Sequence, residues 1–197
     1  IRLSDGDDAL FLHDSFSEFG PSIILTEDSL GKPSVQRLSN IEEILGLKGD
    51  DIIDLTSPDY SLSGTKIMID GGPGSDVIWG SDADETIIGG EGSDIIFGGS
   101  GSDVIFGGYG ADTFEFTKTS ENTTLMDFNP GEGDLIIFYS THDARFNPDS
   151  VTSTPDGFQV TYFDESGECE LNISLADDRA SQDSSFETAW DSIWFFL

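Results

Sequence analysis

Five acidic residues recur at intervals of nine in the middle of the chain: Asp76, Glu85, Asp94, Asp103 and Asp112. Neither His nor Cys occurs between residues 71 and 115. Carboxylate and backbone carbonyl oxygens without nitrogen or sulfur ligands suit a hard cation of flexible coordination, which favours calcium over magnesium and excludes zinc. The spacing therefore predicts several calcium sites.

These acids belong to five contiguous nonapeptides: GGPGSDVIW, GSDADETII, GGEGSDIIF, GGSGSDVIF and GGYGADTFE. The glycine-rich first six residues of a unit favour a tight turn, and the last three favour a strand. The second unit departs from the pattern, because Ser81, Ala83 and Glu85 replace Gly, Gly and Asp. It also carries two extra acids, Asp82 and Asp84.

Successive units must alternate in direction, so two units make one coil of eighteen residues. Equivalent strands then stack about 4.8 Å apart in a parallel sheet. We therefore expect an all-β fold, a parallel β-roll, with one column of acids on each edge. At an effective dielectric near 20, adjacent ionised carboxylates repel by roughly 3 to 4 kcal/mol. A cation between the coils offsets that repulsion.

The pattern G-G-x-G-x-D-x-U-x, with U a large apolar residue, resembles the RTX (repeats-in-toxin) hemolysin-type calcium-binding repeat. The resemblance implies a right-handed β-solenoid with each Ca²⁺ held between two turns by carbonyls and carboxylates. Carried over to this chain, one ion takes Gly72, Gly74, Asp76, Gly89, Glu91 and Asp94. A second takes Gly90, Gly92, Asp94, Gly107, Tyr109 and Asp112, and a third, on the other edge, takes Ser81, Ala83, Glu85, Gly98, Ser100 and Asp103.

The roll is expected to span residues 46–115, after a β-rich lead-in over residues 1–45. Residues 6–10 echo half a nonapeptide and predict one degenerate coil. Asn40–Ile44 resembles the N-I-E segment that precedes RTX coils, although a short helix capped by Ser39 or Asn40 is the competing interpretation.

Two further acids are candidate ligands beside the repeats. Gly46, Gly49, Asp51 and Ile53 form a coil of the same pattern, so we include Asp51 among the metal ligands. Residues 56–64 are an insertion, followed by the strand KIMID (Lys66–Asp70). The unit to which this strand belongs lacks the acidic residue that precedes the strand in the other repeats. An ion there would therefore depend on Asp82 or Asp84.

Residues 116–197 are expected to cap the roll. TLMDFNPGEGDLIIF resembles the segment that closes RTX regions, and residues 157–175 alternate as in a β-hairpin around Asp164–Gly167. The tail, residues 184–197, suits either a short amphipathic helix or a last strand. Asp191–Leu197 resembles the acidic and hydrophobic signal of type I secretion.

If the eighth position of each unit points inward, Val77, Trp79, Ile95 and Phe97 share one outer face of the roll. Such an apolar face needs a cover. We expect residues 13–45 or the C-terminal segment to provide it; the alternatives are another domain or a second copy.

The net charge of −31 excludes nucleic acid and anionic membrane as direct partners, because only eight Lys and Arg are present. No run of 18 apolar residues predicts membrane insertion. The lone Cys169 permits no internal disulfide. We expect the chain, which begins with Ile1, to be part of a longer polypeptide and to be largely unfolded without calcium.

The sequence has no H-E-x-x-H and no G-x-S-x-G, and His13 and His142 are isolated, so we predict no enzyme. We expect a calcium-folded RTX module of a large adhesin, exported by the type I secretion machinery to the surface of a Gram-negative bacterium. Its partners are calcium ions and neighbouring domains. The alternatives are the C-terminal part of a secreted toxin, protease or lipase, or a calcium-dependent sugar- or peptide-binding module using Thr56–Gly64 or Trp79.

Overall fold

The computed structural model describes residues 1–13, 23–24, 41–57, 62, 64–117, 120–139, 151–155, 157–163, 168–175 and 193–196. These residues form strands and no helix, as the all-β prediction required. It follows that no described segment is a helix long and apolar enough to cross a membrane.

The strands, numbered in chain order, lie in two sheets. The first sheet is parallel throughout and runs, in spatial order, through β2 (Ile23–Ile24), β1 (Ala9–His13), β4 (Ile52–Asp54), β6 (Val77–Trp79), β8 (Ile95–Phe97), β10 (Thr113–Phe116), β12 (Leu135–Tyr139) and β16 (Ile193–Phe196). The second runs through β3 (Glu43–Leu45), β5 (Lys66–Pro73), β7 (Asp84–Glu91), β9 (Gly101–Tyr109), β11 (Ser120–Phe128), β15 (Glu168–Leu175), β14 (Gly157–Phe163) and β13 (Val151–Thr154).

From β3 to β12 the chain passes alternately from one sheet to the other. Val77 therefore pairs with Ile95 in the first sheet, and Ile87 pairs with Ile105 in the second. Both offsets are eighteen residues, so one coil comprises two nonapeptides, as predicted. The parallel β-roll is confirmed.

The eighth residue of each nonapeptide fills the space between the sheets. Four of these residues are isoleucines with no exposed surface: Ile78, Ile87, Ile96 and Ile105. Phe114, the eighth residue of the fifth nonapeptide, is buried in the same way and meets Phe128 edge to face, with 6.2 Å between ring centroids. One apolar side chain per nine residues thus builds a narrow continuous core and fixes the register of the turns.

The lead-in is also part of the two sheets. Residues 43–45 form strand β3, so the strand interpretation is right and the helix interpretation is wrong. β1 continues the first sheet beyond β4, with Leu10 opposite Ile53, where the degenerate N-terminal coil was predicted. Residues 14–22 and 25–40 lie outside the described residues.

The C-terminal segment extends both sheets and contains the predicted hairpin. β14 and β15 pair antiparallel, and β15 lies parallel to β11 at the end of the roll. In the tail, residues 193–196 form a strand, while residues 184–192 lie outside the described part. Because both sheets continue beyond residues 46 and 115, the division into lead-in, roll and cap remains a prediction.

The outer face of the first sheet is apolar, as expected. Trp79 and Ile95 are 38% and 39% exposed, whereas Val77 and Phe97 are half-buried. Most of residues 13–45 and part of the C-terminal segment lie outside the described residues, so the cover of this face remains a prediction.

Candidate metal centres

The glycine-rich turns stack along two edges of the roll. On the first edge lie turns 46–51, 71–76, 89–94 and 107–112, and on the second lie turns 80–85 and 98–103. We call the spaces between stacked turns gap 1 (71–76 and 89–94), gap 2 (89–94 and 107–112) and gap 3 (80–85 and 98–103).

The acids of the first edge form a continuous ladder. Each aspartate donates its backbone N–H to Oδ1 of the aspartate in the next coil, at 2.7 to 3.0 Å. The ladder begins before the repeats and continues after them, through Asp8, Asp51, Asp76, Asp94, Asp112 and Asp134. On the second edge Glu85 donates in the same way to Asp103, at 3.0 Å. The two predicted columns of acids are present.

The other carboxylate oxygen in each turn is buried and accepts no hydrogen bond from the residues that the structure describes. This holds for Oδ2 or Oε2 of Asp51, Asp76, Glu85, Asp94, Asp103 and Asp112, whose residues are all 1% exposed. A buried acceptor without a partner is unfavourable, and a buried carboxylate more so. These six unsatisfied oxygens therefore indicate that the stacked turns bind a cation.

Backbone carbonyls complete gap 1. The carbonyl oxygens of Gly72 and Gly74 point at the α-carbons of the glycines in the next coil, where a Cβ would overlap them. The oxygen of Gly89 points back, 2.7 Å from where a Cβ on Gly71 would lie. The backbone carbonyl of Glu91 also points back, because it accepts a hydrogen bond from Gly74 N–H at 2.8 Å.

Gap 1 thus gathers four carbonyls and the carboxylates of Asp76 and Asp94, the set that the sequence suggested. The glycines are required because Gly72 has φ of +103° and because side chains would fill the gap.

Gap 2 repeats this arrangement one coil further. Gly90 and Gly92 direct their carbonyls at Gly108 and Gly110. The carbonyl of Gly107 points back at Gly89, and that of Tyr109 accepts a hydrogen bond from Gly92 N–H at 2.8 Å. Together with the carboxylates of Asp94 and Asp112, these four carbonyls give gap 2 the same set of oxygen ligands as gap 1.

Gap 3 differs in its hydrogen bonding. Ser81 Oγ donates to Oε1 of Glu85 and accepts Ala83 N–H, so the serine positions the longer glutamate side chain. The carbonyls of Ser81 and Ala83 face the next coil, and that of Gly98 faces back.

Ser100 donates its N–H to Ser81 O at 2.9 Å, a backbone contact that joins the two turns of gap 3. Sequence reasoning missed the Ser81–Glu85 contact; the paired replacement of Gly and Asp within one unit was the available signal.

Asp82 and Asp84 lie beside the turn rather than in the column of acids. Asp82 Oδ1 accepts the backbone N–H of Leu62 at 2.5 Å, and Asp84 Oδ1 accepts that of Ser102 at 3.0 Å. Asp82 therefore holds the insertion against the roll. Its predicted role as a ligand remains a prediction.

Burial dominates the electrostatics of these sites. Loss of solvent raises the pKa of Asp76 to about 6, of Asp94 to about 7 and of Asp103 to about 8. Neighbouring carboxylates add to each shift by repulsion. The pKa of Glu85 is also raised, chiefly by burial. Ionised and metal-free, the stack is electrostatically unfavourable.

Within the described part of the chain, no three or more His, Cys, Asp and Glu side chains group into a metal site by themselves. The gaps instead combine two carboxylates with several carbonyl oxygens. An all-oxygen set of this size fits Ca²⁺, which takes six to eight oxygen ligands. The fold and the gaps together define a calcium-binding β-roll.

Two overlapping stretches, residues 68–96 and 88–116, match the family model for the RTX calcium-binding nonapeptide repeat (4 copies). Residues 68–116 are therefore RTX hemolysin-type calcium-binding repeats. Neither the curated proteins nor the solved structures yielded a match. RTX repeat domains are structural calcium-binding modules, and such repeats are typical of secreted proteins of Gram-negative bacteria.

Proposed function

We propose that this RTX module folds as it binds Ca²⁺ outside the cell and thereby serves the export of a large cell-surface adhesin through the type I secretion machinery. The observation that carries the proposal is the set of six buried, unsatisfied carboxylate oxygens among the described residues. They couple folding of the chain to a divalent cation.

Three ligand sets follow from the gaps. Gap 1 would hold its ion with Asp76, Asp94 and four carbonyls, and gap 2 with Asp94, Asp112 and four carbonyls. Gap 3 would use Glu85, Asp103 and the carbonyls predicted for that edge. When bound, calcium supplies the positive charge that offsets repulsion between the stacked carboxylates.

The energies support a folding switch. Each adjacent pair of ionised carboxylates costs roughly 3 to 4 kcal/mol at the spacing of coils. Three such pairs lie along the first edge from Asp51 to Asp112, and a fourth joins Glu85 and Asp103 on the second edge. A domain of this size has a stability of only about 5 to 15 kcal/mol. Without a cation, the stacked turns are therefore not a stable arrangement.

The calcium concentration is lower in the cytosol than outside the cell, which is the direction that folding after export requires. Calcium sites of extracellular modules have dissociation constants of about 0.1 to 1 mM, far above cytosolic calcium. The chain would then remain unfolded, and passable through a secretion channel, until it emerges. Folding on the outside would oppose its return.

Export from cells that carry a type I secretion apparatus tests this function. The chain is followed in the medium at about 5 mM calcium and in medium buffered below about 10 µM. A triple variant, Asp76→Asn, Asp94→Asn and Asp112→Asn, serves as the control. We expect calcium to increase the export of the unchanged chain and not that of the variant. Equal export in both media would contradict the proposal.

A further inference from the structure

The aspartate ladder continues upstream of the family match. The turn 46–51, with sequence GLKGDD, stacks on the turn 71–76, although 25 residues separate Asp51 from Asp76 instead of eighteen. The insertion at residues 56–64 accounts for the longer path. We call the space between these two turns gap 4.

Carbonyl oxygens surround gap 4 as they surround gaps 1 and 2. Those of Leu47 and Gly49 point at the α-carbons of Gly72 and Gly74, where a Cβ would overlap them. From the other turn, the oxygen of Gly71 points back at Gly46. Pro73 completes the set, because its carbonyl accepts a hydrogen bond from Gly49 N–H at 3.0 Å.

Leu47 adopts a backbone conformation that favours glycine. Its φ is +85°, the single positive φ of a non-glycine residue among the described residues. For a leucine this conformation is unfavourable, and such outliers persist where the surroundings require them. Here it places the Leu47 carbonyl where Gly72 and Gly90 place theirs in gaps 1 and 2.

Asp51 supplies an independent sign of a ligand. Its side chain is 1% exposed, and its Oδ2 accepts no hydrogen bond from the described residues. That oxygen lies 2.7 Å from where a Cβ on Gly46 would be, facing the gap.

Asp8, one coil upstream in the ladder, differs from Asp51. Its Oδ2 accepts hydrogen bonds from the N–H and the hydroxyl of Ser4, both at 2.7 Å. Stacking in the ladder therefore does not by itself leave an unsatisfied oxygen.

We propose that gap 4 is a further Ca²⁺ site, formed by the carbonyls of Leu47, Gly49, Gly71 and Pro73 with the carboxylates of Asp51 and Asp76. The proposal deepens the calcium-folding function and rests on it. One half of the site (Leu47, Gly49 and Asp51) lies upstream of the matched repeats and the other half lies within them, so the ion would join the lead-in coil to the first repeat across the insertion. Calcium would thus order the roll from residue 46 onward.

The number of calcium ions bound per chain tests gap 4. Native mass spectrometry of the full chain at saturating calcium compares the unchanged protein with Asp51→Asn and with the matched control Asp8→Asn. Asp76 is unsuitable because gap 1 shares it. We expect Asp51→Asn to bind one ion fewer and Asp8→Asn to bind the same number as the unchanged chain.

Anomalous diffraction from crystals of the unchanged chain grown with terbium in place of calcium is independent of how the variant folds. A peak between turns 46–51 and 71–76 would support the site. Peaks in gaps 1 and 2 without one in gap 4, or an unaltered ion count in Asp51→Asn, would overturn it. If the unchanged chain bound no ions, the proposed function itself would fail.

Discussion

Two successive turns of the aspartate ladder, 107–112 and 129–134, satisfy their aspartates in different ways. Asp112 Oδ2 is buried without a partner among the described residues. Asp134 accepts Asp112 N–H with one oxygen and Asn129 N–H, at 2.8 Å, with the other.

The turn 129–134 is also closed by its own backbone hydrogen bonds, which link Asn129 and Pro130 to the residues that follow them. The repeat turns lack such closure because their carbonyls point into the gaps. The difference shows that stacking alone does not create a metal site: dependence on an ion arises where a turn leaves its oxygens facing the next coil.

The largest effect of a point mutation on the calcium requirement is expected at Asp94, which faces both gap 1 and gap 2. Asp94→Asn should remove charge from two sites and raise the calcium concentration for half-maximal folding at least about tenfold, equivalent to about 1.4 kcal/mol. Titration of the β-sheet signal in circular dichroism measures this shift.

Asp134→Asn is the control at the closed turn. It should lower the free energy of unfolding by about 1 to 3 kcal/mol through its hydrogen bonds, without changing the number of bound ions. Loss of an ion in Asp134→Asn would show that the closing turn is a metal site after all.

A second effect separates the inner and outer faces of one strand. Ile96 is fully buried between the sheets, whereas its neighbour Ile95 is 39% exposed. Ile96→Ala should lower the free energy of unfolding at saturating calcium by about 2 to 5 kcal/mol, and Ile95→Ala by less than about 1 kcal/mol. Thermal unfolding compares the two. Similar losses would mean that the outer face is as well covered as the core.

The periodic part of the fold was predictable from the sequence, because each nonapeptide carries its own turn glycines and one inward apolar residue. That period placed Ile78 and Ile96 opposite each other and aligned Asp76 with Asp94. The aperiodic contacts were not predictable.

The left-handed backbone of Leu47 and the second hydrogen bond of Asp134 both depend on how neighbouring turns stack. That stacking is a property of three-dimensional packing rather than of composition. The hairpin was predictable from alternation and its length, but its parallel pairing with β11 was not.

A further effect is that of pH on the metal-free chain. Burial raises the folded-state pKa of Asp94 to about 7 and of Asp76 to about 6, from 3.8. Between about pH 4 and pH 7 the folded form therefore binds more protons than the unfolded form. The stability that these two carboxyl groups contribute is fully present below about pH 4 and is lost as pH rises through about 6 to 7.

In excess chelator, circular dichroism should accordingly show more β-structure at about pH 5 than at about pH 8. The opposite order would mean that the carboxylates are not stacked in the metal-free folded form. Measurement at two ionic strengths separates this protonation from screening of the overall charge.

Circular dichroism of the chain in excess chelator and in up to about 10 mM calcium, with magnesium as the control, tests the central claim most directly. We expect an unfolded chain in chelator and a cooperative transition to β-structure that calcium, and not magnesium, brings about. A chain that is fully β-structured in chelator at neutral pH would contradict it, because the stacked carboxylates would then need no cation.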